Sequence, residues 1–170
     1  MRALFLIPLA LCALCADLGA STILVYVEEH MEPESELELH PVRQGLLDGL
    51  FEAGHIFFDP GDELIGDIEW QSGFSGRLRG MAASGGASLL LLVRAETQVT
   101  PQPRGRPLVA VSLHYRLVDL TGQPDRSVVV GSFTTDNTGR ENLTDTLMVD
   151  REAGLRVVSI LDDEIRTRDQ

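Results

Sequence analysis

One stretch of the chain, residues 88–134, constrains the fold more than any other feature, because apolar and polar residues alternate through most of it. Successive side chains of a β-strand point to opposite faces of the sheet, so this alternation predicts strands with one buried face and one largely polar face. The pattern is clearest from Val109 to Leu117, where every second residue is apolar. The three predicted antiparallel strands are Ser88–Val99, Pro107–Leu120 and Ser127–Thr134.

The polar face of the first two of these strands is the candidate binding surface. A sheet face that no helix covers would present its polar side chains to a partner. Simple exposure to solvent produces the same alternation without any binding role, so both interpretations stay open. The candidate binding residues are Arg94, Glu96, Gln98, His114 and Arg116.

The residues before this stretch predict an alternation of strands and helices. Thr22–Val27 is apolar on both faces, which is typical of a strand inside a sheet. Residues 28–40 are rich in glutamate and contain Pro33, which predicts an exposed loop. A helix is predicted over Pro41–Ala53, with proline in its first turn and Gly54 at its C-terminal end. His55–Phe58 then reads as a short strand.

Two further helices complete the predicted fold. A helix interrupted by glycines is expected over Gly73–Ser84, and a longer one from Leu143 to Ile165. The element order is therefore β-α-β-α-β-β-β-α. It predicts a single α/β (α+β) domain with a mixed five-stranded sheet that contains an antiparallel three-strand meander.

The N-terminus has the pattern of an export signal. Met1 and Arg2 precede an apolar run from Ala3 to Ala16, which is short for a membrane span, and small residues follow. We expect a signal peptide over residues 1–20 with cleavage near Ala20, a domain over residues 21–166 and a frayed tail over residues 167–170. An uncleaved anchor and a buried helix are the alternatives. No later run is apolar enough to span a membrane, so we expect a periplasmic or secreted protein.

Both cysteines lie in the predicted signal peptide. A bacterial lipoprotein carries a small residue directly before its acylated cysteine, whereas Leu11 precedes Cys12 and Leu14 precedes Cys15. The mature chain would have no cysteine, and hence no disulfide and no thiolate ligand or nucleophile.

The net charge of the chain and its lack of known catalytic or phosphate-binding motifs disfavour several classes of function. The net charge of −12 disfavours nucleic acid and anionic lipid as partners. No phosphate-binding glycine loop is present. Ser75, in Gly-Phe-Ser-Gly, does not match the nucleophile elbow of serine hydrolases, although a hydrolase remains a minor alternative. We therefore expect neither an enzyme nor a cofactor.

Acidic loops leave a metal site as an open alternative. Oxygen ligands can bind calcium, but the EF-hand spacing is absent, and so is His-x-x-x-His. No metal ligand is predicted; the alternative function is a periplasmic protein that binds a metal or small molecule through these loops. The residues concerned are His30, His40, His55, Asp59, Asp62, Glu63, Asp67 and Glu69.

Two segments resemble the LpoB/CsgG-like group of periplasmic accessory domains, whose fold is similar to the amino-terminal domain of TolB. Residues 86–92, Gly-Ala-Ser followed by four leucines, resemble the start of a buried strand in that group. Residues 115–122, Tyr-Arg-Leu-Val-Asp-Leu-Thr-Gly, resemble its strand-and-turn signature. The chain departs from the group in lacking a lipoprotein cysteine and in carrying Glu28-Glu29-His30 where a proline-phenylalanine motif is usual.

The resemblance implies a non-catalytic role in the cell envelope. Proteins of the group mostly activate or assemble other envelope components by binding them. We therefore expect an exported accessory domain that contacts an envelope protein, with the polar sheet face, the loops or a sheet edge as its contact surface.

Overall fold

The computed structural model of the chain describes residues 21–32, 40–60, 76–121, 127–138 and 146–168. The predicted signal peptide, Ser75 and the acidic residues Asp62, Glu63, Asp67 and Glu69 lie outside these ranges. The elements, in chain order, are β1 (Thr22–Glu32), α1 (Pro41–Glu52), β2 (Ile56–Phe58), α2 (Gly76–Gly85), β3 (Leu89–Thr100), β4 (Leu108–Asp119), β5 (Ser127–Asp136) and α3 (Thr146–Arg168).

The predicted fold class and element order are confirmed. The five strands form one mixed sheet in the order β2-β1-β3-β4-β5. β1 pairs in parallel with both β2 and β3, whereas β3, β4 and β5 form the predicted antiparallel meander. The meander register shifts once, between Leu117 and Val118, which places a bulge near the start of β5.

The first strand is longer than predicted, and the prediction of a loop from Glu28 onward was wrong at its start. β1 continues to Glu32, and its second half pairs with residues 94–98 of β3. The sheet tolerates the acidic residues because two of them have partners there. Glu28 accepts hydrogen bonds from Arg94, and Glu29 accepts hydrogen bonds from the first turn of α1.

One face of the sheet, here called the closed face, packs against α1 and α3. It carries the odd-numbered residues of β1, β3 and β4, including Val25, Leu91 and Leu113, which are fully buried. Val42, Leu46 and Leu50 of α1 pack into the same core. From α3 come Val149, Ala153, Val157, Val158, Leu161 and Ile165.

The two helices approach each other at glycines. A Cβ on Gly45 would overlap the carbonyl oxygen of Arg151, and a Cβ on Gly154 would overlap that of Val42. Glycine inside a helix costs about 1 kcal/mol relative to alanine, so these residues are explained by the close backbone contact that they permit.

This contact also sets which sides of the helices are buried. The helical spacing of apolar residues in the sequence would place Phe51 and Leu147 in the buried stripes of α1 and α3, but Phe51 is 76% exposed and Leu147 is also exposed. The helices turn instead so that their glycines face each other.

The opposite face, here called the open face, is covered at one end by α2. Leu78 and Ala82 of α2 pack on Leu24, Leu90 and Leu92 of the sheet. Beyond Leu92, the same face of β3 continues with Arg94, Glu96 and Gln98, as the alternation predicted.

The last helix extends beyond its predicted end at Ile165 and continues to Arg168. Arg166 donates to the carbonyl oxygen of Ala53 at 2.8 Å, and Arg168 donates to Asp119 at 2.7 Å. These contacts hold the final turn against the rest of the domain. Among the described residues, no helix combines the length and the apolar character that crossing a membrane requires.

Candidate functional site

The five candidate residues share the open face of the sheet, on two neighbouring strands. Register places Arg94 of β3 directly opposite His114 of β4, and Glu96 opposite Ser112. Arg116 lies two residues further along β4, beside the end covered by α2. The pleat of the sheet therefore brings the residues selected by alternation onto one surface.

Their exposure differs along the strands. Glu96, Gln98 and His114 are exposed, whereas Arg94 and Arg116 are half-buried. This gradient follows the position of α2, since the arginines lie nearer to the covered end of the open face.

A depression of about 400 Å³ lies on this face over β3, β4 and β5. Arg94, Glu96, His114 and Arg116 line it together with Val130 of β5. Tyr115 and Gly131, an opposed pair of β4 and β5, contribute to the same lining. Val130 is 69% exposed, which gives the depression an apolar wall beside its charged groups. We call this feature the β4–β5 depression.

An ion pair fixes one side of the depression. Both Nε and Nη2 of Arg94 lie 2.9 Å from Oε2 of Glu28 on β1. The other oxygen of Glu28 lies 3.1 Å from Nε2 of His30. Arg94 is thus oriented by an acid from the neighbouring strand.

Glu28 and His30 also belong to the open face. They were not selected from the sequence, because a loop was predicted over residues 28–40. The signal was present, because Tyr26, Glu28 and His30 alternate with Val27 and Glu29. The run of glutamates masked it.

On the closed face, Glu29 lies between three elements. Its two carboxylate oxygens accept hydrogen bonds from the backbone N–H groups of Val42 and Arg43, at 3.2 and 2.8 Å. Burial and, to a smaller extent, the nearby Asp150 raise the pKa of the Glu29 carboxyl from 4.5 to about 7, against the opposing effect of the two N–H donors and of the Arg43 charge. Asp150 is itself buried and accepts a hydrogen bond from Thr97 at 2.7 Å. These acids join β1, α1 and α3 inside the domain.

The histidines of the metal hypothesis have other contacts or are exposed. His55 is buried, with Nε2 2.8 Å from Asp162. The hydrogen bond from Arg166 chiefly holds the pKa of Asp162 below its usual range, and His55 adds to the effect. His40 is exposed at the start of α1. Within residues 21–32, 40–60, 76–121, 127–138 and 146–168, no three acidic, histidine or cysteine side chains cluster as a metal site would require.

Neither a protein-family model nor a curated protein matches the chain. Solved structures do match its fold. The PelC dodecamer from Paraburkholderia phytofirmans is 16% identical over 85% of this chain and 88% of that one, with a TM-score of 0.57. The hypothetical protein CT253 from Chlamydia trachomatis is 10% identical over 86% and 99%, with a TM-score of 0.56. Lipoprotein GNA1162 from Neisseria meningitidis is 18% identical over 86% and 99%, with a TM-score of 0.50.

These similarities show a shared fold. The chain has the architecture of bacterial proteins that include a lipoprotein, and the match spans nearly the whole of each. The narrower resemblance to the LpoB/CsgG-like group remains an expectation from the sequence.

Proposed function

We propose that the chain is an exported, non-catalytic accessory protein of the bacterial cell envelope, which binds another envelope protein through the open face of its sheet. The observation that carries the proposal is that helices cover the two faces of the sheet to different extents. Two helices cover most of the closed face, whereas α2 stops short of Arg94 and leaves the polar residues beyond it accessible.

Three further observations support this function. The N-terminal sequence has the pattern of an export signal. The fold is shared with lipoprotein GNA1162. A face that combines charges, hydroxyl groups and an exposed Val130 has the mixed character of non-obligate protein interfaces, which are about as polar as the rest of a protein surface.

A second copy of the chain is the alternative partner. The similar PelC structure is a dodecamer. A self-assembling protein would bury the open face or a sheet edge between copies, so the mass of the purified protein in solution separates this alternative from binding to a different protein.

Site-specific photo-crosslinking in the native bacterium tests the proposal. A photoreactive amino acid replaces Gln98, which is exposed on the open face, and in a matched control it replaces Ser159, which is exposed on α3. Irradiation should join a distinct envelope protein to the Gln98 position and not to the Ser159 position. Reversing the nearby charge with Glu96→Arg should reduce the yield of that adduct.

Two outcomes would count against this function. Equal adducts from both positions would mean that the open face has no special role. An adduct with the mass of two copies, together with an oligomer measured by light scattering, would replace the envelope partner with self-assembly.

A further inference from the structure

The β4–β5 depression differs in composition from the chain as a whole. The protein carries 26 acidic and 14 basic residues, yet the residues that line the depression include two arginines and one histidine but a single acid, Glu96. Glu28, which pairs with Arg94, adds one more acid at its β1 side. Basic groups are thus concentrated on the β4 side, around Arg116 and His114.

The ionisable residues of the open face near the depression come from three strands. β1 contributes Glu28 and His30, β3 contributes Arg94 and Glu96, and β4 contributes Arg116 and His114. On β5, the residues opposite Arg116 and His114 are Val130 and Ser132. A ligand that lies along β4 and β5 therefore meets a guanidinium group, an imidazole ring, a hydroxyl group and an apolar side chain.

We propose that the β4–β5 depression binds a carboxylate side chain on an extended, acidic segment of the partner protein, with a neighbouring apolar residue of that segment against Val130. Guanidinium groups bind carboxylates through paired, charge-assisted hydrogen bonds, which are stronger than neutral ones. The volume of about 400 Å³ is enough for one or two side chains. This inference rests on the proposed function and specifies the chemistry of the partner at the same face.

The orientation of Arg94 favours this ligand over a basic one. Glu28 already neutralises the β1 side of Arg94, so a further acid from the partner would approach from the β4 side, where His114 lies opposite. A basic segment would face Arg116 and His114 with only Glu96 to pair with.

Peptide binding measured by fluorescence anisotropy tests the inference on the purified chain. The probe is a fluorescein-labelled nonapeptide of serine and threonine with a central Val-Glu-Val, and its matched control carries Val-Gln-Val. The glutamate peptide should bind at least tenfold more tightly than the glutamine peptide at low salt, and the difference should shrink as salt is added.

Substitutions of the basic and of the acidic residues in the depression should change the peptide affinity in opposite directions. Arg116→Gln and His114→Gln should each weaken binding of the glutamate peptide several-fold. Glu96→Gln should strengthen it several-fold, because it removes the acid that lines the depression. His114 and Glu96 are exposed, so these two variants keep the test valid even if Arg116→Gln perturbs folding. Arg156→Gln on α3 is the matched control and should leave the affinity unchanged.

Equal binding of the two peptides, or weaker binding after Glu96→Gln, would overturn the inference. Tighter binding of a matched Val-Arg-Val peptide would also overturn it. If photo-crosslinking at Gln98 still captures an envelope protein in that case, the proposed function stands and only the chemistry assigned to the partner fails.

Discussion

The two faces of the same sheet differ in how their side chains are stabilised. On the closed face, the residues of β3 and β4 are buried beneath two helices whose backbones touch at Gly45 and Gly154. On the open face, beyond the part that α2 covers, the alternate residues of the same strands form cross-strand pairs such as Arg94 with Glu28 and Ser112 with Thr134. Position parity along a strand therefore separates side chains that lie beneath α1 and α3 from side chains that α2 leaves accessible over part of the sheet.

The largest effect should follow from breaking the helix contact on the closed face. Gly154→Val places side-chain atoms where the backbone of α1 lies, and backbone atoms cannot yield without separating the helices. We expect a loss of about 4 kcal/mol or more in the free energy of unfolding, measured by urea denaturation.

The matched control is Gly80→Ala in α2, where a Cβ meets open space. It should stabilise the protein by up to about 1 kcal/mol, because alanine favours helix over glycine. If the two variants lose similar stability, the close approach of α1 and α3 is not what selects glycine.

Neighbouring residues of β4 should give the next contrast. Leu113 is fully buried on the closed face, so Leu113→Ala should cost about 3 kcal/mol by removing contacts and leaving a cavity. His114 is exposed on the open face, and His114→Ala should change the stability by less than about 0.5 kcal/mol. Thermal unfolding of both variants measures the contrast, and a large loss from His114→Ala would contradict the assignment of the open face to recognition.

The third contrast concerns the effect of pH on stability through the partly buried Glu29. Its pKa of about 7 in the folded protein lies above the ordinary value of 4.5, so the folded state holds the proton more tightly than the unfolded chain. The stabilisation from this group is fully present below pH 4.5 and is lost as the pH rises through 7, a change of about 3 kcal/mol. Arg43 opposes this shift and Asp150 reinforces it.

Glu29→Gln should remove the loss of stability that occurs as the pH rises through 7. Between pH 5 and pH 8, the free energy of unfolding of the wild type should fall relative to that of the variant, in urea titrations at both pH values. Parallel pH dependence of the two proteins would show that the carboxyl of Glu29 does not titrate in this range.

The smallest loss of stability is expected from substitution of Glu28, which is adjacent to Glu29 in the chain and lies on the open face. Glu28 pairs with a partly exposed Arg94, so Glu28→Gln should cost less than about 1 kcal/mol. A double-mutant cycle with Arg94→Gln measures the coupling directly. A coupling well above 1 kcal/mol would mean that the open face contributes to stability as the closed face does.

Local sequence patterns were sufficient to predict the antiparallel meander of β3, β4 and β5. The period-two alternation of β3 and β4 correctly placed Val109, Leu113 and Leu117 in the core, and His114 on the other face, because the direction of a side chain in a strand depends on its position parity alone. Pro41 and Gly54 similarly marked the ends of α1, and Gly54 has the positive φ of 81° that a helix C-terminus often requires.

The candidate site was only partly predictable. Alternation selected the five polar residues and continues through Glu28, but nothing local indicated that Glu28 would pair with Arg94, which lies 66 positions further along the chain. The depression also needs Val130 and Gly131 of β5, whose place beside β4 is fixed by the pairing of the two strands.

The sequence by itself determined the order of the elements, the single mixed sheet and the division of its central strands into an apolar and a polar side, because each depends on residues close together in the chain. Only the tertiary structure decided how far β1 extends, which sides of α1 and α3 are buried and where the open face begins. Those features depend on contacts between distant segments: the backbone of α1 against Gly154, the N-terminus of α1 against Glu29, and the limited reach of α2 over the sheet.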